Sequence, residues 1–187
     1  MELLWLWILL GVLGLIIIFV VATYNSLIRL KVGVEEGFST MDVYLKKRYD
    51  LIPNLVETVK GYAKHEKETL ERVIKARNMA MSATNVEERA KSENVLTDTI
   101  KSLFALSESY PELKANSNFI DLQNQLKQIE VDIANSRRYY NGVVKQYNIK
   151  IAVFPLNIIA KLFNFTRKDM FEVDNAEERK NVKVNFN

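Results

Sequence analysis

The sequence predicts an all-α protein with an N-terminal transmembrane helix that continues into an antiparallel bundle of about four long helices, followed by a short C-terminal amphipathic helix and a tail. Three observations predict this class: an uncharged apolar run opens the chain, a seven-residue hydrophobic repeat fills its second half, and only 6 glycines and 3 prolines interrupt its 187 residues. Because glycine and proline break regular structure, their scarcity favours long elements. We expect a transmembrane anchor at 1–23, a soluble helical bundle at 24–153, and the amphipathic helix with the C-terminal tail at 154–187.

The opening run, residues 3–22, is uncharged and long enough to cross a bilayer. About 20 helical residues, each rising about 1.5 Å, match a hydrocarbon thickness of about 30 Å. Trp5, Trp7 and Tyr24 lie near its two ends, where aromatic rings favour the membrane interface. A cleaved signal peptide is the alternative, but it would have a basic start and a shorter apolar core, whereas Glu2 is the only early charge. We therefore expect a single-pass anchor with the lipid bilayer as its partner.

The basic residues nearest the membrane all follow the apolar run, at Arg29, Lys31, Lys46, Lys47 and Arg48. Positive charge favours the cytoplasmic side, so the N-terminus is expected outside and the C-terminal domain in the cytoplasm. The chain has no cysteine, which excludes disulfides and thiolate catalysis and fits a reducing compartment.

Helical spacing predicts two helices between the membrane and residue 82. The first carries apolar residues on one face, at Leu27, Leu30, Val34, Phe38, Met41 and Leu45. Pro53 should kink this helix or start the next one, because proline removes a backbone donor and crowds the preceding turn. The second helix is expected from Pro53 to about Ser82, with Gly61 as a candidate bend. Its stripe is Val56, Val59, Ala63, Leu70, Val73, Arg77 and Met81.

Two further helices complete the expected bundle. One starts at a cap formed by Thr84 or Asn85 and ends near Ser107. It should bury Leu96, Ile100, Leu103 and Phe104. After a connector at 110–116, the other runs from about Ser117 to Ile149. Its seam alternates by four and three, at Ala115, Phe119, Leu122, Leu126, Ile129, Ile133, Ser136, Tyr140, Val143 and Tyr147. Such a heptad seam is typical of coiled coils and needs partner helices.

The end of the chain changes character. Residues 154–163 predict a short amphipathic helix, with Pro155 tolerated in its first turn. The tail from Asp169 alternates weakly, which favours an extended backbone. The apolar segment at 154–165 has three candidate contacts that remain open: lipid, a neighbouring subunit, or its own bundle.

No catalytic, cofactor-binding or metal-binding residue is predicted. His65 is the sole histidine, and the sequence has no Glu-x-x-His, P-loop or nucleophile–base pattern. Acidic residues alternate with lysines at helical spacing, which favours solvated faces. The basic and aromatic stretch at 137–141 does not indicate nucleic acid, because Tyr140 belongs to the seam and the net charge is only +3. Gly33 and Gly37 form a small-residue step that chance explains more readily than close helix packing.

Motifs in order along nearly the whole chain carry a family resemblance. They include Tyr24-Asn25, residues 45–56 (LKKRYDLIPNLV), residues 59–66 (VKGYAKHE), Ala76-Arg77, residues 110–116 (YPELKAN), residues 133–141 (IANSRRYYN), Tyr147-Asn148, and Phe154-Pro155. In these motifs the chain resembles the LemA family. The resemblance implies a single-pass anchor in the bacterial cytoplasmic (inner) membrane, a cytoplasmic bundle of long antiparallel helices, no established enzymatic activity, and a link to envelope maintenance and membrane proteostasis.

Three functions are compatible with these observations. The favoured one is a membrane-anchored structural or interaction module that forms a homo-oligomer. The alternative is an adaptor or regulator of a membrane protease or other envelope enzyme, and thus a membrane-protein partner. An undetected hydrolase or metalloenzyme is the third. Six polar motif residues are expected to join helices by hydrogen bonds, with a partner site as the alternative: Asn54, Tyr62, His65, Asn116, Arg137 and Asn141.

Overall fold

The protein is all-α, as predicted. The computed structural model describes residues 2–172, of which 85% are helical, and this part contains no strand. The helices are α1 (Glu2–Tyr62), α2 (Lys67–Ser82), α3 (Val86–Ser107), α4 (Pro111–Lys114), α5 (Ser117–Ala152) and α6 (Leu156–Leu162). The long seam helix and the short C-terminal helix are therefore confirmed. Most of the tail that was expected to be extended lies outside the described residues.

The first helix is longer than predicted. α1 continues through Pro53 to Tyr62, so the prediction that a second helix runs from Pro53 to Ser82 is wrong. Proline inside a helix costs about 3 kcal/mol. Ile52 and Leu55 on either side of it are fully buried, and their packing offsets that cost. The break comes instead after Tyr62, and α2 begins only at Lys67.

The helices bury residues at intervals of seven. In α1 the repeat is Leu27, Val34, Met41, Arg48 and Leu55. In α5 it is Phe119, Leu126, Ile133, Tyr140 and Tyr147. A strict seven-residue repeat keeps one face of a helix toward its partners over its whole length. Most of the predicted seam in α5 is thus buried. Leu122, Ile129 and Val143 are half-buried, Val144 is buried beside Val143, and Ala115 is exposed ahead of the helix.

The chain divides into two compact units. Unit 1 combines the described residues up to Asp42 with Ala134–Met170, and unit 2 combines Val43–Ile133 with Phe171 and Glu172. α3 begins with the predicted cap, since the Asn85 side chain accepts a hydrogen bond from the Glu88 N–H at 2.8 Å. Leu96, Ile100 and Leu103 are buried as predicted, whereas Phe104 is half-buried.

Two glycines allow α1 and α5 to approach closely in unit 1. A Cβ added at Gly37 would come within 3.4 Å of the Tyr139 ring and the Tyr140 backbone, and one at Gly33 within 3.3 Å of Val143. Contacts at this distance are tight, so a larger side chain would push the helices apart. The small-residue step therefore serves helix packing, the explanation that the sequence did not favour.

Replacing Gly37 with leucine should lower the free energy of unfolding by about 1–3 kcal/mol, because the added side chain overpacks this crossing. Gly142→Leu is the matched control, since a Cβ there meets nothing within 4 Å. The control should be neutral or slightly stabilising, because leucine favours helix more than glycine does. Urea unfolding of the full chain in detergent, followed by circular dichroism, compares the two. Equal losses would contradict the packing explanation.

Candidate functional site

Unit 2 encloses a cluster of charged side chains, which we call the Arg48 cluster. Arg48 of α1 and Glu93 of α3 are both fully buried and form an ion pair. Arg48 Nη1 also donates to Glu130 of α5 at 2.6 Å and to the Thr97 hydroxyl at 3.0 Å. The Tyr49 hydroxyl donates to the other oxygen of Glu93. Three helices therefore meet at one buried arginine.

The Arg48 cluster constrains how these helices are aligned. Moving a charged group out of water costs several kcal/mol, and only partners in good geometry compensate. If α3 or α5 slid along α1 by one turn, Arg48 or Glu93 would be buried without its partner. A further bond extends this arrangement to α2, because Arg77 Nε donates to the Tyr49 carbonyl oxygen at 2.7 Å. The cluster thus favours a single register of the helices.

The Arg48 cluster was not predicted from the sequence. The prediction of solvated faces for the acidic residues is wrong for Glu93, and Arg48, which was counted among the basic residues that orient the anchor, is buried as well. The signal was present, since Arg48 lies seven residues after Met41 and seven before Leu55. Glu93 likewise precedes Ile100 by seven residues. A charged residue at a position where the repeat requires an apolar one indicates a buried pair.

The first part of α1 is exposed and apolar. Trp5 is 71% exposed and Ile18 is 66% exposed. The most apolar stretch of this helix has a mean hydropathy of 3.0 and no buried residue. Among residues 2–172, α1 is the one helix long and apolar enough to cross a membrane. This is compatible with membrane anchoring.

In unit 1, two aromatic residues that follow α6 pack against Tyr24, which lies two residues after the apolar run. The Tyr24 ring lies 4.8 Å from the Phe163 ring and 5.8 Å from the Phe165 ring, measured between centroids. Ile159 and Ala160 on one face of α6 are buried. The other face of α6 exposes Ile158 and Leu162, and the flanking residues Phe154 and Phe163 are exposed as well. The predicted amphipathic helix is therefore confirmed.

The chain after α6 is bound along α5 by hydrogen bonds. The Tyr147 hydroxyl donates to the Thr166 carbonyl oxygen at 2.9 Å. Asn148 donates to the Lys168 carbonyl oxygen at 2.8 Å and accepts from the Lys168 N–H at 2.9 Å. The Tyr140 hydroxyl donates to the carbonyl oxygen of Asp169 at 2.8 Å. Burial raises the pKa of the tyrosines at 140 and 147, and the charge of Asp169 raises the first further.

The six polar residues singled out by the sequence are divided between the units. Asn116 caps α5 by accepting from the Phe119 N–H at 3.0 Å, and its amide donates to the Tyr62 hydroxyl at 2.9 Å. This bond joins the end of α1 to the start of α5 in unit 2. Asn54 and His65, also in unit 2, are exposed, whereas Arg137 and Asn141 in unit 1 are half-buried.

Unit 2 also has an open groove between the last turns of α1 and α2. Its volume is about 860 Å³. Val56, Leu70 and Ile74 contribute apolar surface. Its lysines are Lys60, Lys64, Lys67 and Lys75, against two glutamates, Glu57 and Glu71. Lys60 pairs with Glu57 at 3.0 Å, and Lys67 pairs with Glu71 at 3.6 Å. The groove is thus apolar at its base and has a net positive rim.

Within residues 2–172 no three histidine, aspartate or glutamate side chains come together in a way that would hold a metal ion.

A further hydrogen bond in unit 2 connects two loops. Glu66 accepts it from the Tyr110 hydroxyl at 3.1 Å. Burial and this bond raise the pKa of Tyr110. The bond joins the connector before α4 to the turn between α1 and α2.

Fold and site together define a class: all-α proteins with an N-terminal helix apolar enough to cross a membrane and with charged residues buried between long helices. Within this class, the chain belongs to the LemA family, whose sequence profile matches residues 37–186. The family is not a known enzyme family. The match begins beyond the apolar run, so the family profile does not include the residues that would form the anchor.

Individual relatives are distant. The chain is 23% identical over 167 residues to protein LemA of Metamycoplasma hominis, an alignment that covers 88% of this chain and 76% of that protein. It is 21% identical over 175 residues to each of the magnetosome proteins MamQ 1 and MamQ 2 of Paramagnetospirillum magneticum, covering 80% of this chain. The chain spans only 64% of the length of those two proteins.

Proposed function

We propose that this chain is a membrane-anchored, non-enzymatic interaction module that self-associates at the bacterial inner membrane, with its N-terminus outside and its bundle in the cytoplasm. The main observation behind this proposal is that the exposure of apolar residues changes along α1. Its first part exposes apolar residues on every side, whereas the residues after Ala22 in the same helix have one buried face. An uncharged helix that is apolar all round requires lipid as its surroundings.

Exposed apolar side chains beyond the anchor support self-association. Five apolar residues beyond the anchor are each about half exposed: Val32, Val43, Val131, Tyr139 and Ile149. Single exposed apolar residues are ordinary on a soluble protein. Chains held in one membrane, however, meet at a high effective concentration, so that weak contacts suffice for association.

The buried charges support a role without catalysis. A catalytic group must contact its substrate. Arg48 and Glu93 are fully buried and bind each other, and His65 lies exposed beside charged neighbours. An undetected hydrolase or metalloenzyme is therefore the least favoured function, and metal analysis of the purified chain should give a blank.

The groove between α1 and α2 favours a second candidate function, that of an adaptor for a membrane protease or other envelope enzyme. Its apolar base and net positive rim suit an amphipathic helix with acidic residues. Such a helix would place its apolar side chains on Leu70 and Ile74 and its carboxylates near Lys64 and Lys75.

Crosslinking in intact membranes, followed by alkaline carbonate washing, tests both functions. We expect the chain to stay in the washed membranes and to give lysine-crosslinked species at multiples of its 21.7 kDa mass. Release of the uncrosslinked chain into the wash would overturn the anchor. A chain that remains monomeric would overturn self-association.

The adaptor function predicts a different product in the same experiment. A species with one defined partner should form, and it should disappear in the Lys64→Glu/Lys75→Glu variant. Lys91→Glu/Lys101→Glu on α3 is the matched control, because these lysines are exposed but lie outside the groove. Products containing only copies of the chain would exclude the adaptor.

A further inference from the structure

We propose that residues 154–163, which include α6, form a second membrane contact that lies on the surface of an anionic bilayer, on the side of the bundle. This inference rests on the proposed anchor and adds a lipid-binding surface to it. The structure brings an exposed apolar helix face beside the residue where the membrane-spanning run ends, and basic residues flank that face.

The position of the segment is set by Tyr24. The apolar run ends at Ala22, so the Tyr24 ring lies at the level of the lipid headgroups, where tyrosine is favoured. Phe163 and Phe165 contact this ring. The segment is therefore held at the same level, because the following residues are bonded to α5 in the same unit.

The exposed face of the segment has the composition of an interfacial helix. Within α6, Ile158 is 59% exposed and Leu162 70%, and these two residues are four apart. Phe154, which precedes the helix, is 79% exposed. Residues four apart lie on one side of a helix. The opposite side is occupied, since Ile159 and Ala160 are buried within unit 1. Four carbons or more of each exposed side chain are thus free to enter the boundary between headgroups and acyl chains.

The net positive charge of this part of the chain favours an anionic membrane surface. Between residues 154 and 170 the chain has three basic residues, Lys161, Arg167 and Lys168, and one acidic residue, Asp169, which gives a net charge of +2. A cavity of about 230 Å³ beside Tyr24 is lined by Lys31 and Lys168 among others, and is large enough for a phosphate group. Basic residues at the interface attract anionic headgroups.

Single-cysteine labelling tests the proposal in the full chain, which has no cysteine of its own. Cysteine at Ile158 or Leu162 is labelled with an environment-sensitive fluorophore, and the protein is placed in phosphatidylcholine and phosphatidylglycerol vesicles with brominated acyl chains. An interfacial helix lies about 5–10 Å into the boundary, so we expect about twofold quenching at both positions. Quenching of both labels should be weaker in vesicles of brominated phosphatidylcholine alone.

Two further labels serve as controls. Val32 on α1 is 54% exposed, similar to Ile158, but lies ten residues, or about 15 Å along the helix, beyond the end of the apolar run, so its label should be unaffected by bromine. Ile16 lies within the run assigned to the membrane, so its label should be strongly quenched. Quenching at Ile16 without quenching at Ile158 and Leu162 would overturn the second contact alone, whereas an unquenched Ile16 label would overturn the anchor itself.

The remaining outcomes are also decisive. If the Ile158 label shifts its emission only as the protein-to-lipid ratio rises, with no bromine effect, the face binds a second copy of the chain and the proposal is wrong. Lys161→Glu/Arg167→Glu should weaken quenching at Ile158 in anionic vesicles without changing it at Ile16. Unchanged quenching would show that charge does not select the lipid and would overturn the assignment of an anionic surface.

Discussion

Arg48→Met is expected to lower the free energy of unfolding by about 3–5 kcal/mol, one of the two largest effects predicted for this protein. The substitution leaves the fully buried carboxylate of Glu93 with the Tyr49 hydroxyl as its remaining partner. A buried charge without a counterion is far more costly than one left at the surface. Urea unfolding of the full chain in detergent, monitored by circular dichroism, measures the loss.

The double variant Arg48→Met/Glu93→Leu separates the cost of an orphaned charge from the value of the pair. It should recover most of the lost stability, because apolar residues of similar volume often replace a buried ion pair without loss. Glu130, which is 35% exposed, can be solvated when Arg48 is absent. Lys91→Ala is the surface control, since its pair with Glu87 is exposed and screened by solvent, so that its loss should change stability little. If Arg48→Met cost no more than Lys91→Ala, the cluster would have no part in stability.

Tyr147→Ala should produce a loss of similar size, about 3–5 kcal/mol, because it removes a large ring from a well-packed site. The ring is 1% exposed and belongs to the seven-residue repeat of α5. Tyr147→Phe keeps the ring and removes only the bond to the Thr166 carbonyl, so it should lose about 0.5–1.5 kcal/mol. The same unfolding measurement distinguishes the two, and a larger loss for phenylalanine than for alanine would contradict the burial argument.

The pH dependence of Tyr147 gives an independent check. Burial raises the pKa of this hydroxyl above its ordinary value of 10.0. Above that pH the unfolded chain releases the proton before the folded chain does. The contribution of Tyr147 to the free energy of unfolding is therefore fully present below pH 10.0 and falls as the pH rises further. Tyr147→Phe should therefore lose less stability than the parent protein over this range. It should still lose some, because the pKa of Tyr140 is raised as well.

The sequence predicted the elements whose signal is local and repeated. The seam of α5, the cap at Asn85 and the amphipathic character of α6 all follow from spacing within one element, and each is present. Pro53 shows where local reasoning fails. Proline disfavours a helix by its own chemistry, but burial of the residues around it depends on other helices, whose positions a local pattern does not contain.

The candidate sites were less accessible to prediction than the fold. No local rule joins Arg48 to Glu93 and Glu130, which lie on three different helices. The packing role of Gly33 and Gly37 could not be predicted from their spacing either, because it depends on how closely α5 approaches them. Among the six polar residues predicted to join helices, Asn116 and Tyr62 form a hydrogen bond that joins the start of α5 to the end of α1.

By itself, the sequence determined that the chain is helical, that its first helix is apolar enough to cross a membrane, and that it belongs to the LemA family. Composition and periodicity are properties of single segments, and they decide which surfaces avoid water. Only the tertiary structure decided which charges are buried together, how closely α1 and α5 pack, and where the exposed face of α6 lies beside Tyr24. These features depend on contacts between residues far apart in the chain, and such contacts exist only once the helices have packed.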